Sequence, residues 1–466
     1  MSFPRRHLLP TLGAAPFAAP GPSRKRPNFV ILFTDDQRFD TVGALGNRHI
    51  RTPNMNRLAR NGTAFTHACI MGGTQGAVCV PSRAMLMTGQ SLFRAARNTG
   101  ATPGDKSTPG DFDLFPELLG RNGYRTFATG KWHNGPKLFH RAFQAGDNIF
   151  FGGMSDQLKV QVQPFDASGA YPKINAHTGP KFSSELFADS AIRFLDSQAD
   201  TAEPFLCYCA FTSPHDPRMA PKPYTDLYSP DRMPVPPNFL PEHPFDNGEL
   251  KVRDELLAPF PRTPRIVQEH TAAYYAMVSE VDAQIGRIID AVARSPRAAD
   301  TYIIFAGDNG LAVGQHGLFG KQNVYDHSVR VPLIVQGPGV RRNARSDAFV
   351  YLFDVFPTLC AAADIVTPPT VEGQSFLPLL DGKGKPPQSR NAMFFAYRNF
   401  QRSLRTRDWK LIRYTVNGST RHQLFDMRHD PWETRDLSGR SEHRDRVSRM
   451  AADLETTARG LSDPLA

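Results

Sequence analysis

The sequence predicts an α/β fold with a large, mostly parallel sheet sandwiched by helices, followed by a small C-terminal α+β domain with an antiparallel sheet. Two observations predict the large sheet. Short apolar runs rich in β-branched and aromatic residues recur between residues 29 and 335, and each is too short for a helix. Helical patterns lie between them, and strands that alternate with helices form parallel sheets covered on both faces.

Five runs are predicted to be buried strands, because each meets a glycine or threonine within two residues of its end. They span residues 29–33, 124–128, 205–211, 302–306 and 331–335. The clearest helix has an apolar stripe from Tyr274 to Val292 that recurs every three or four residues. A chain of 466 residues is long enough for one large domain and a smaller one.

Two long segments show little periodicity. Residues 214–264 are dense in proline and are predicted to form a long ordered loop, which in a compact domain is usually functional. Residues 134–180 show glycine-marked turns but no clear helix or strand.

A glycine- and proline-rich segment after Leu380 predicts a linker between a large domain over residues 27–380 and a small domain over 388–466. In the small domain, residues 409–414 alternate as a strand does. A terminal helix follows, with Val447, Met450, Leu454, Ala458 and Leu461 on one face.

Residues 1–26 are predicted to be an export signal and linker. Arg5 and Arg6 precede a short apolar stretch, and a Pro-Gly-Pro segment follows at 20–22. This pattern resembles a twin-arginine signal and predicts a periplasmic or extracellular protein. A tail without regular structure is the alternative, because Pro10 and Pro16 interrupt the apolar stretch. No run approaches the roughly 18 apolar residues that cross a bilayer, so no membrane span is predicted.

The net charge is moderately positive and unevenly distributed. Five of the ten formal net positive charges lie within residues 1–26. The rest of the chain is mildly basic, which suits an anionic substrate but falls short of the dense basic patch that binds nucleic acid. No nucleic-acid partner is predicted.

The five cysteines are Cys69, Cys79, Cys207, Cys209 and Cys360. An odd number argues against a complete disulfide framework, and no spacing indicates a metal site. Pro81, two residues after Cys79, predicts a helix start, which places Cys79 at a helix N-terminus beside Arg83. From these residues alone, Cys79 is either a buried capping residue or a reactive thiolate.

Polar residues follow two of the predicted strands at their carboxyl ends, where α/β sheets place ligand sites. Asp35 and Asp36 follow the first strand, and Asp308 and Asn309 follow the fourth. Each pair alone is often a polar turn. Together they offer the hard oxygen ligands that Ca²⁺ and Mg²⁺ prefer, so the sequence predicts a divalent metal site.

The segment from Cys79 to Gly89 resembles the signature of the type I sulfatases, which belong to the alkaline phosphatase superfamily. Cys-x-Pro-Ser-Arg followed by Leu-x-Thr-Gly is the motif whose cysteine a formylglycine-generating enzyme oxidises to formylglycine. Val80 departs from the small or hydroxylated residues that are more usual at that position. Further matches follow in the family's order: Gly130-Lys131-Trp132-His133, Ser213-Pro214-His215-Asp216-Pro217, Lys321, Arg330 and residues 424–433.

The resemblance implies a sulfuric ester hydrolase with a catalytic domain over 27–380. It implies a metal, Ca²⁺ in preference to Mg²⁺, bound by Asp35, Asp36, Asp308, Asn309 and the modified residue 79. Residue 79 would act as a hydrated aldehyde, one hydroxyl attacking sulfur and the other later expelling sulfate. By the same resemblance, Arg83, Lys131 and Lys321 would hold the aldehyde hydrate and the sulfate oxygens. His133 would act as the base. His215, with Lys321 as a second candidate, would protonate the departing alcohol.

The export signal and mild basic bias favour a sulfated carbohydrate over a cytosolic metabolite as the substrate. Asp216, Arg218 and His316 are hypothesised to contact the leaving group, because they flank family positions; His316 is equally compatible with a structural loop histidine. Two other functions stay open: a phosphate or phosphonate monoester hydrolase of the same superfamily, and a non-catalytic protein that binds sulfated glycans. Two lysines in the motif set favour sulfate esters, and the completeness of that set favours an enzyme.

Overall fold

The computed structural model describes residues 26–104, 106–382 and 390–466. In chain order the strands are β1 (Asn28–Thr34), β2 (Thr63–Cys69), β3 (Gly72–Gly73), β4 (Arg125–Lys131), β5 (Ala145–Phe150), β6 (Gln161–Val162), β7 (His177–Thr178), β8 (Phe205–Ala210), β9 (Thr301–Gly307), β10 (Leu333–Gln336), β11 (Ala344–Tyr351), β12 (Ala392–Tyr397), β13 (Gln401–Thr406), β14 (Trp409–Val416) and β15 (Ser419–Asp426). The α-helices are α1 (Pro53–Asn61), α2 (Cys79–Thr88), α3 (Leu92–Thr99), α4 (Phe115–Arg121), α5 (Pro136–Ala142), α6 (Ser183–Ser197), α7 (Lys222–Thr225), α8 (Pro264–Arg294), α9 (Asp326–Val329), α10 (Val355–Ala363), α11 (Leu377–Leu380) and α12 (Arg444–Gly460). The predicted export signal before Arg26 and most of the predicted linker lie outside the described residues.

The large sheet has the strand order β11-β2-β10-β9-β1-β8-β4-β5. Its neighbouring strands are parallel except around β10, which is antiparallel to both β2 and β9. Alternate side chains of β1 enter two separate apolar clusters: Phe29 and Phe33 lie with residues of α2, α3 and α10, whereas Val30 and Leu32 lie with residues of α1, α6 and α8. Helices therefore cover both faces, and the predicted fold class is confirmed.

The five predicted strands are present, with shifted ends. β4 continues through Gly130 and Lys131, which the sequence analysis placed after the strand. β10 begins at Leu333 because Pro332 precedes it, and proline has no backbone N–H to donate to a sheet. The stripe from Tyr274 to Val292 lies within α8, as predicted.

The prediction of no clear element between residues 134 and 180 was wrong. This segment contains α5, β5, β6 and β7. β5 forms the edge of the large sheet, and its first residues, Ala-Gly-Asp-Asn, lack the apolar pattern of a strand. Such an edge strand is held by backbone pairing with β4, which leaves no signal in the side chains. Residues 214–264 form the predicted long loop, interrupted by α7 and two short 3₁₀ turns.

A second sheet has the order β15-β14-β13-β12-β3. β12 to β15 pair in antiparallel fashion, whereas β3 pairs with β12 in parallel. Gly72 in β3 has a φ of 105°, and a Cβ there would lie 2.0 Å from the carbonyl oxygen of Ala396, so only glycine fits. The division into two domains stays a prediction, because a strand from the first hundred residues completes the C-terminal sheet.

The terminal helix α12 contacts β12, β13 and β14. Met450, Leu454 and Ala458 are its buried residues, as the apolar spacing predicts. Across the residues that the structure describes, no helix has both the length and the apolar character needed to traverse a bilayer.

Candidate active site

The candidate site lies where four neighbouring strands of the large sheet end. β9, β1, β8 and β4 are adjacent and parallel, so their carboxyl ends meet at one edge. Asp35 and Asp36 follow β1, and Asp308 and Asn309 follow β9. Lys131 is the last residue of β4, and the loop after β8 contains His215. The sheet topology thus brings together residues far apart in the sequence.

Hydrogen bonds connect Asp36 to both Asp308 and Asn309. The backbone N–H of Asp36 donates to Oδ1 of Asp308 at 2.9 Å, and Nδ2 of Asn309 donates to Oδ1 of Asp36 at 2.7 Å. Asp36 has a φ of 63°, a left-handed conformation that costs energy for a residue with a Cβ. Tyr274 from α8 donates to the carbonyl oxygen of Asp36 at 2.6 Å. These contacts fix the turn that presents the two carboxylates.

Cys79 is the first residue of α2 and is 1% exposed. The helix begins at Cys79 itself, two residues before the proline that the sequence analysis took as its start. Its Sγ lies 3.3 Å from Nδ1 of His133 and 3.8 Å from Nζ of Lys131. Burial raises the pKa of the Cys79 thiol above its ordinary value, despite the neighbouring lysines. An unmodified Cys79 is therefore a protonated thiol, which argues against the thiolate alternative.

Lys131, the last residue of β4, enters the site beside a bulge at Asn148 of the partner strand β5. The register between β4 and β5 shifts between Thr129 and Gly130. Gly130 has a φ of 87°, and a Cβ there would lie 1.9 Å from the carbonyl oxygen of Ala210, so the strands can approach only at a glycine. Nζ of Lys131 donates to a carboxylate oxygen of Asp35 and, at 2.5 Å, to the carbonyl oxygen of Gly153.

Arg83 lies one turn after Cys79 on α2 and is buried. Its Nε and Nη2 both approach Oδ2 of Asp308, at 3.0 and 2.9 Å. Nη1 donates to the backbone carbonyl of Lys131 at 2.9 Å. This forked contact joins α2 to the ends of β9 and β4 and holds a positive charge beside residue 79.

Lys321 and His215 lie against Asp36. Nζ of Lys321 donates to Oδ1 and Oδ2 of Asp36 at 2.7 and 2.9 Å. Nε2 of His215 lies 3.5 Å from Oδ2 of Asp36, and its Nδ1 lies 2.8 Å from the backbone oxygen of Asp216. Since a carbonyl oxygen only accepts, Nδ1 of His215 bears a hydrogen. Nε2 therefore faces the acidic cluster.

His133 is held as a neutral imidazole. Burial, together with the positive charges of Lys131 and Arg83, lowers the pKa of His133 to about 2. Its φ of 65° is again left-handed. A neutral histidine in contact with residue 79 can accept a proton there.

The residues present fit a divalent cation. Single ligand atoms of Asp35, Cys79 and Asp308 lie within 4.8 Å of one another. Oδ1 of Asp35 and Oδ1 of Asn309 are buried and have no hydrogen-bond partner, which is costly unless another group contacts them. Burial raises the pKa of Asp308 to about 7, and the charge of Asp35 contributes. A cation among these oxygens would satisfy the orphaned atoms and offset the repulsion.

The three residues predicted to contact the leaving group do not all lie together in the structure. Asp216 lies in the cluster, with Oδ1 3.3 Å from Nδ1 of His215. Arg218 lies two residues further along the same loop. His316 is instead packed away from these carboxylates: its ring stacks on Tyr325 with centroids 3.9 Å apart, and its Nε2 lies 3.1 Å from Nδ2 of Asn238. The structural alternative for His316 fits this packing.

Two residues beside the site were missed by the sequence analysis. Arg253, from the long loop, pairs with Asp216, with Nη2 3.1 Å from Oδ1. His270, on α8, accepts a hydrogen bond from Nη1 of Arg218. Neither residue belongs to a local motif, and each meets its partner only through the fold.

Comparison with known proteins decides the family. The sequence model of the family described as "Sulfatase" matches residues 27–365. The chain belongs to the sulfatase family. A second model, described as "N-sulphoglucosamine sulphohydrolase, C-terminal", matches residues 314–460 of this sulfatase, a range that includes β12 to β15 and all of α12.

Several relatives of this sulfatase match nearly its full length. The N-acetylglucosamine-6-O-sulfatase of Bacteroides thetaiotaomicron is 26% identical, over 99% of this chain and 92% of the relative. The ulvan-active sulfatase of Formosa agariphila is 26% identical, over 94% of this chain and 82% of the relative.

Solved structures share the fold. BT4656 in complex with its substrate D-glucosamine-2-N,6-O-disulfate superposes with a TM-score of 0.78 at 24% identity, covering 94% of this chain and 99% of that one. The phosphonate monoester hydrolase of Agrobacterium radiobacter superposes with a TM-score of 0.74 at 21% identity, covering 94% of this chain and 96% of that one. These structures show the shared fold, and the family model over residues 27–365 makes the protein an enzyme of the sulfatase class, which hydrolyses sulfate esters.

Proposed function

We propose that this sulfatase removes sulfate from a sulfated carbohydrate, using a formylglycine formed from Cys79 and a bound Ca²⁺. The observation that supports this most directly is the position of Cys79, 3.3 Å from a neutral histidine and 3.8 Å from a lysine. The carbohydrate part rests on relatives, because an N-acetylglucosamine-6-O-sulfatase and an ulvan-active sulfatase both match almost the whole chain.

In this proposal Asp35, Asp36, Asp308, Asn309 and residue 79 hold the metal. A bound Ca²⁺ supplies Lewis acidity, polarising a sulfate oxygen and favouring the deprotonated nucleophile. Carboxylate and amide oxygens are the donors that Ca²⁺ prefers, and Mg²⁺ is the second candidate. The orphaned Oδ1 atoms of Asp35 and Asn309 support this ligand set.

A hydrated aldehyde at position 79 supplies a nucleophile together with its own release route, which a plain serine or cysteine lacks. Nδ1 of His133 would accept the proton from the hydroxyl that remains after attack. His133 suits that role because burial and neighbouring cations keep it neutral. The left-handed backbone of His133 belongs to the turn that presents the ring, whose Nδ1 lies 3.3 Å from Sγ of Cys79.

Three buried cations would bind the sulfate oxygens. Arg83, Lys131 and Lys321 now lie against the carboxylates of Asp308, Asp35 and Asp36. A cation bound among those carboxylates would share their negative charge, leaving the three side chains to donate to the sulfate. Fixed donors in a site with little water stabilise charge that grows on oxygen during attack.

His215 would donate a proton to the departing alcohol oxygen. The backbone oxygen of Asp216 holds Nδ1, so Nε2 is the atom directed at the cluster. Burial lowers the pKa of His215 overall, and the carboxylate of Asp36 opposes that shift by favouring the protonated ring. Lys321, which contacts the same carboxylate of Asp36, is the second candidate donor.

A formylglycine-generating enzyme is the proposed partner during maturation. We also propose export to the periplasm or the extracellular space, which the predicted signal at the N-terminus and a polymeric sulfated substrate both favour.

A phosphate or phosphonate monoester hydrolase is the second candidate, because a phosphonate monoester hydrolase shares the fold. Hydrolysis of 4-nitrophenyl sulfate and 4-nitrophenyl phosphate by the same calcium-loaded preparation separates the two. We expect a higher kcat/KM for the sulfate ester. A higher value for the phosphate ester would replace the proposed function with this one.

The chemistry of residue 79 is tested by mass spectrometry together with activity. The tryptic peptide 61–83 contains both Cys69 and Cys79, which gives an internal comparison. We expect an aldehyde at position 79, an unmodified thiol at position 69, and sulfate release that scales with the aldehyde fraction. Cys79→Ala should lose activity by more than about 10³-fold, whereas Cys69→Ala should retain it. Full activity in protein with a free thiol at both positions would refute the proposed nucleophile.

A further inference from the structure

Arg218 lies at the edge of the candidate site, where burial lowers its pKa and the charges of Asp216 and Asp36 oppose that shift without contacting it as ion pairs. Nη1 donates to His270, and Nη2 is shielded from solvent without any hydrogen-bond partner. No ion pair joins Arg218 to a carboxylate in the described part of the chain. Its neighbours differ: Arg253 pairs with Asp216, and Arg262 pairs with Glu255 at 2.9 Å. A buried, unpaired guanidinium nitrogen is costly unless a ligand contacts it.

Other buried atoms without a hydrogen-bond partner lie within the proposed metal and sulfate pocket. Oδ1 of Asp35 and Oδ1 of Asn309 are also buried and unpartnered, and so is Nη2 of Arg83 by hydrogen-bond criteria. In the pocket, these atoms are the ones proposed to contact the metal or the sulfate. Arg218 shows the same feature next to the pocket; because buried unpartnered atoms also occur elsewhere, as at Nε of Arg297, the position of Arg218 carries the argument.

Two segments that supply groups to the pocket also hold Arg218. One is the loop after β8, in which His215 lies 3.5 Å from Asp36. The other contains Lys321, which donates to Asp36 at 2.7 Å, and Phe319, whose ring centre is 5.7 Å from the Arg218 guanidinium carbon. Arg218 is thus fixed beside the sulfate pocket, on the side of His215, the proposed donor to the leaving group.

His270 orients the guanidinium. Because its Nδ1 accepts from Arg218, the neutral ring bears its hydrogen on Nε2. Burial, together with the charge of Arg218, lowers the pKa of His270 to about 4, so the ring stays neutral and adds no counter-charge. The edge of the His270 ring packs on Phe319 with centroids 5.0 Å apart. Arg218 is therefore positioned by a neutral acceptor and an aromatic face, which leaves its charge available.

We propose that Arg218 binds a second anionic group of the substrate, a carboxylate or a second sulfate, while the sulfate to be cleaved occupies the pocket. The inference rests on the proposed function and narrows its substrate class to carbohydrates with at least two negative groups. The planar guanidinium donates through adjacent nitrogens and suits oxyanions of this kind. His270 is a positioning residue in this arrangement.

Matched aryl sulfates test the proposal. The probes are 4-nitrophenyl sulfate and derivatives with one carboxylate or one sulfonate, ortho or meta to the sulfate ester. The sulfonate stands in for a second sulfate and is not hydrolysed, so the two series distinguish the anion. We expect calcium-loaded wild-type enzyme to have a lower KM for at least one anionic derivative. Arg218→Met should reduce that preference, expressed as the ratio of kcat/KM values, by about tenfold or more.

Three further variants, one of them a control, make the test decisive. His270→Ala, at a partly exposed position on α8, should reduce the same ratio about threefold through KM, since the guanidinium loses one of its contacts. Arg218→Lys should restore part of the preference as a point charge. Arg265→Met, an exposed arginine on the same helix, is the matched control and should leave the ratio unchanged.

The outcomes separate this inference from the proposed function. Wild-type enzyme that hydrolyses 4-nitrophenyl sulfate without preferring any anionic derivative would overturn the role of Arg218 alone. The same conclusion follows if Arg218→Met and His270→Ala both fold and keep the wild-type ratio. Absence of hydrolysis of every sulfate ester by wild-type enzyme with a confirmed aldehyde at position 79 would instead reject the proposed function.

Discussion

Asp308 connects three parts of the candidate site. Its carboxylate accepts from the backbone of Asp36 and from Arg83, and its backbone oxygen accepts from Ser82. One side chain therefore sets the relative positions of β1, β9 and the N-terminal turn of α2. An amide at this position keeps the shape but removes the negative charge.

We expect Asp308→Asn to lower calcium content and kcat/KM together, the latter by more than about 100-fold. The loss follows from removing a charged ligand and the partner of Arg83 at the same time. Elemental analysis after gel filtration measures the metal, and 4-nitrophenyl sulfate measures the rate. Asp231→Asn, the same change at an exposed carboxylate, is the control. Normal calcium content in Asp308→Asn would remove Asp308 from the proposed metal site.

The sequence alone predicted the residues that stand next to each other at strand ends. Asp35 and Asp36, for example, follow a recognisable strand. Because ligand sites lie at the carboxyl ends of such strands, their position alone predicted a ligand-binding role. Arg253 and His270 could not be predicted, because their partners lie 37 and 52 positions away in the chain. His316 shows the opposite error. Its neighbours in the sequence belong to motifs, which suggested a substrate contact, but in the structure its ring packs on Tyr325.

Helix α8 holds a buried carboxyl group away from the candidate site. Glu280 is 1% exposed, and its Oε2 has no hydrogen-bond partner. Burial raises the pKa of Glu280 from 4.5 to about 8, although hydrogen bonds with Ser184 and Gln284 oppose the shift. The folded protein therefore keeps Glu280 protonated at neutral pH, whereas the unfolded chain ionises it. This side chain makes the contact between α8 and α6 sensitive to alkaline pH.

Because the folded-state pKa is the higher one, the contribution of Glu280 to stability is complete below about pH 4.5 and is lost as the pH rises through 8. Between pH 6 and pH 9, we expect wild-type enzyme to lose about 2 to 3 kcal/mol more unfolding free energy than Glu280→Gln. Urea titrations at both pH values measure the difference. Glu269→Gln, exposed on the same helix, should follow the wild type. If the unfolding free energies of Glu280→Gln and Glu269→Gln depend on pH in the same way, Glu280 ionises in the folded protein without penalty.

Elements with a strong side-chain pattern were predictable, whereas those made by backbone pairing were not. α8 and α12 show apolar stripes over several turns, and both stripes are buried as expected. β3 has only two residues, both glycine, and exists because it pairs with β12. No local property of Gly72 and Gly73 could have indicated a partner more than three hundred positions away.

A buried ion network joins the two parts of the molecule. Asp326, at the start of α9, accepts from Lys410 of β14 at 2.9 Å and pairs with Arg405 of β13. Lys410 also contacts Glu433 at 2.6 Å. Removing one member of such a network leaves an uncompensated buried charge, which typically costs several kcal/mol. The network ties the C-terminal sheet to the rest of the molecule, and so does β3, which follows β2 of the large sheet in the chain but pairs with β12.

We expect the whole chain to unfold in one transition and Lys410→Met to shift that transition as a unit, with about 3 kcal/mol less unfolding free energy. Hydrogen exchange read by mass spectrometry during urea unfolding can follow peptides from β1 and from β13 separately. Lys222→Met, at a highly exposed lysine, is the control. Peptides from β13 that open at lower urea than those from β1 would show that the two parts unfold independently.

The burial of Cys79 has a consequence for the order of events during synthesis. In the folded chain this side chain is 1% exposed, beneath His133 and Lys131, so a second enzyme has no access to its sulfur. Under the proposed chemistry, oxidation must therefore precede folding, and each chain has a single period in which it can become active. A chain that folds first stays inactive, however stable it is, and only unfolding would give it a second opportunity. The active fraction of a preparation is then set by relative rates during synthesis, before any substrate is present.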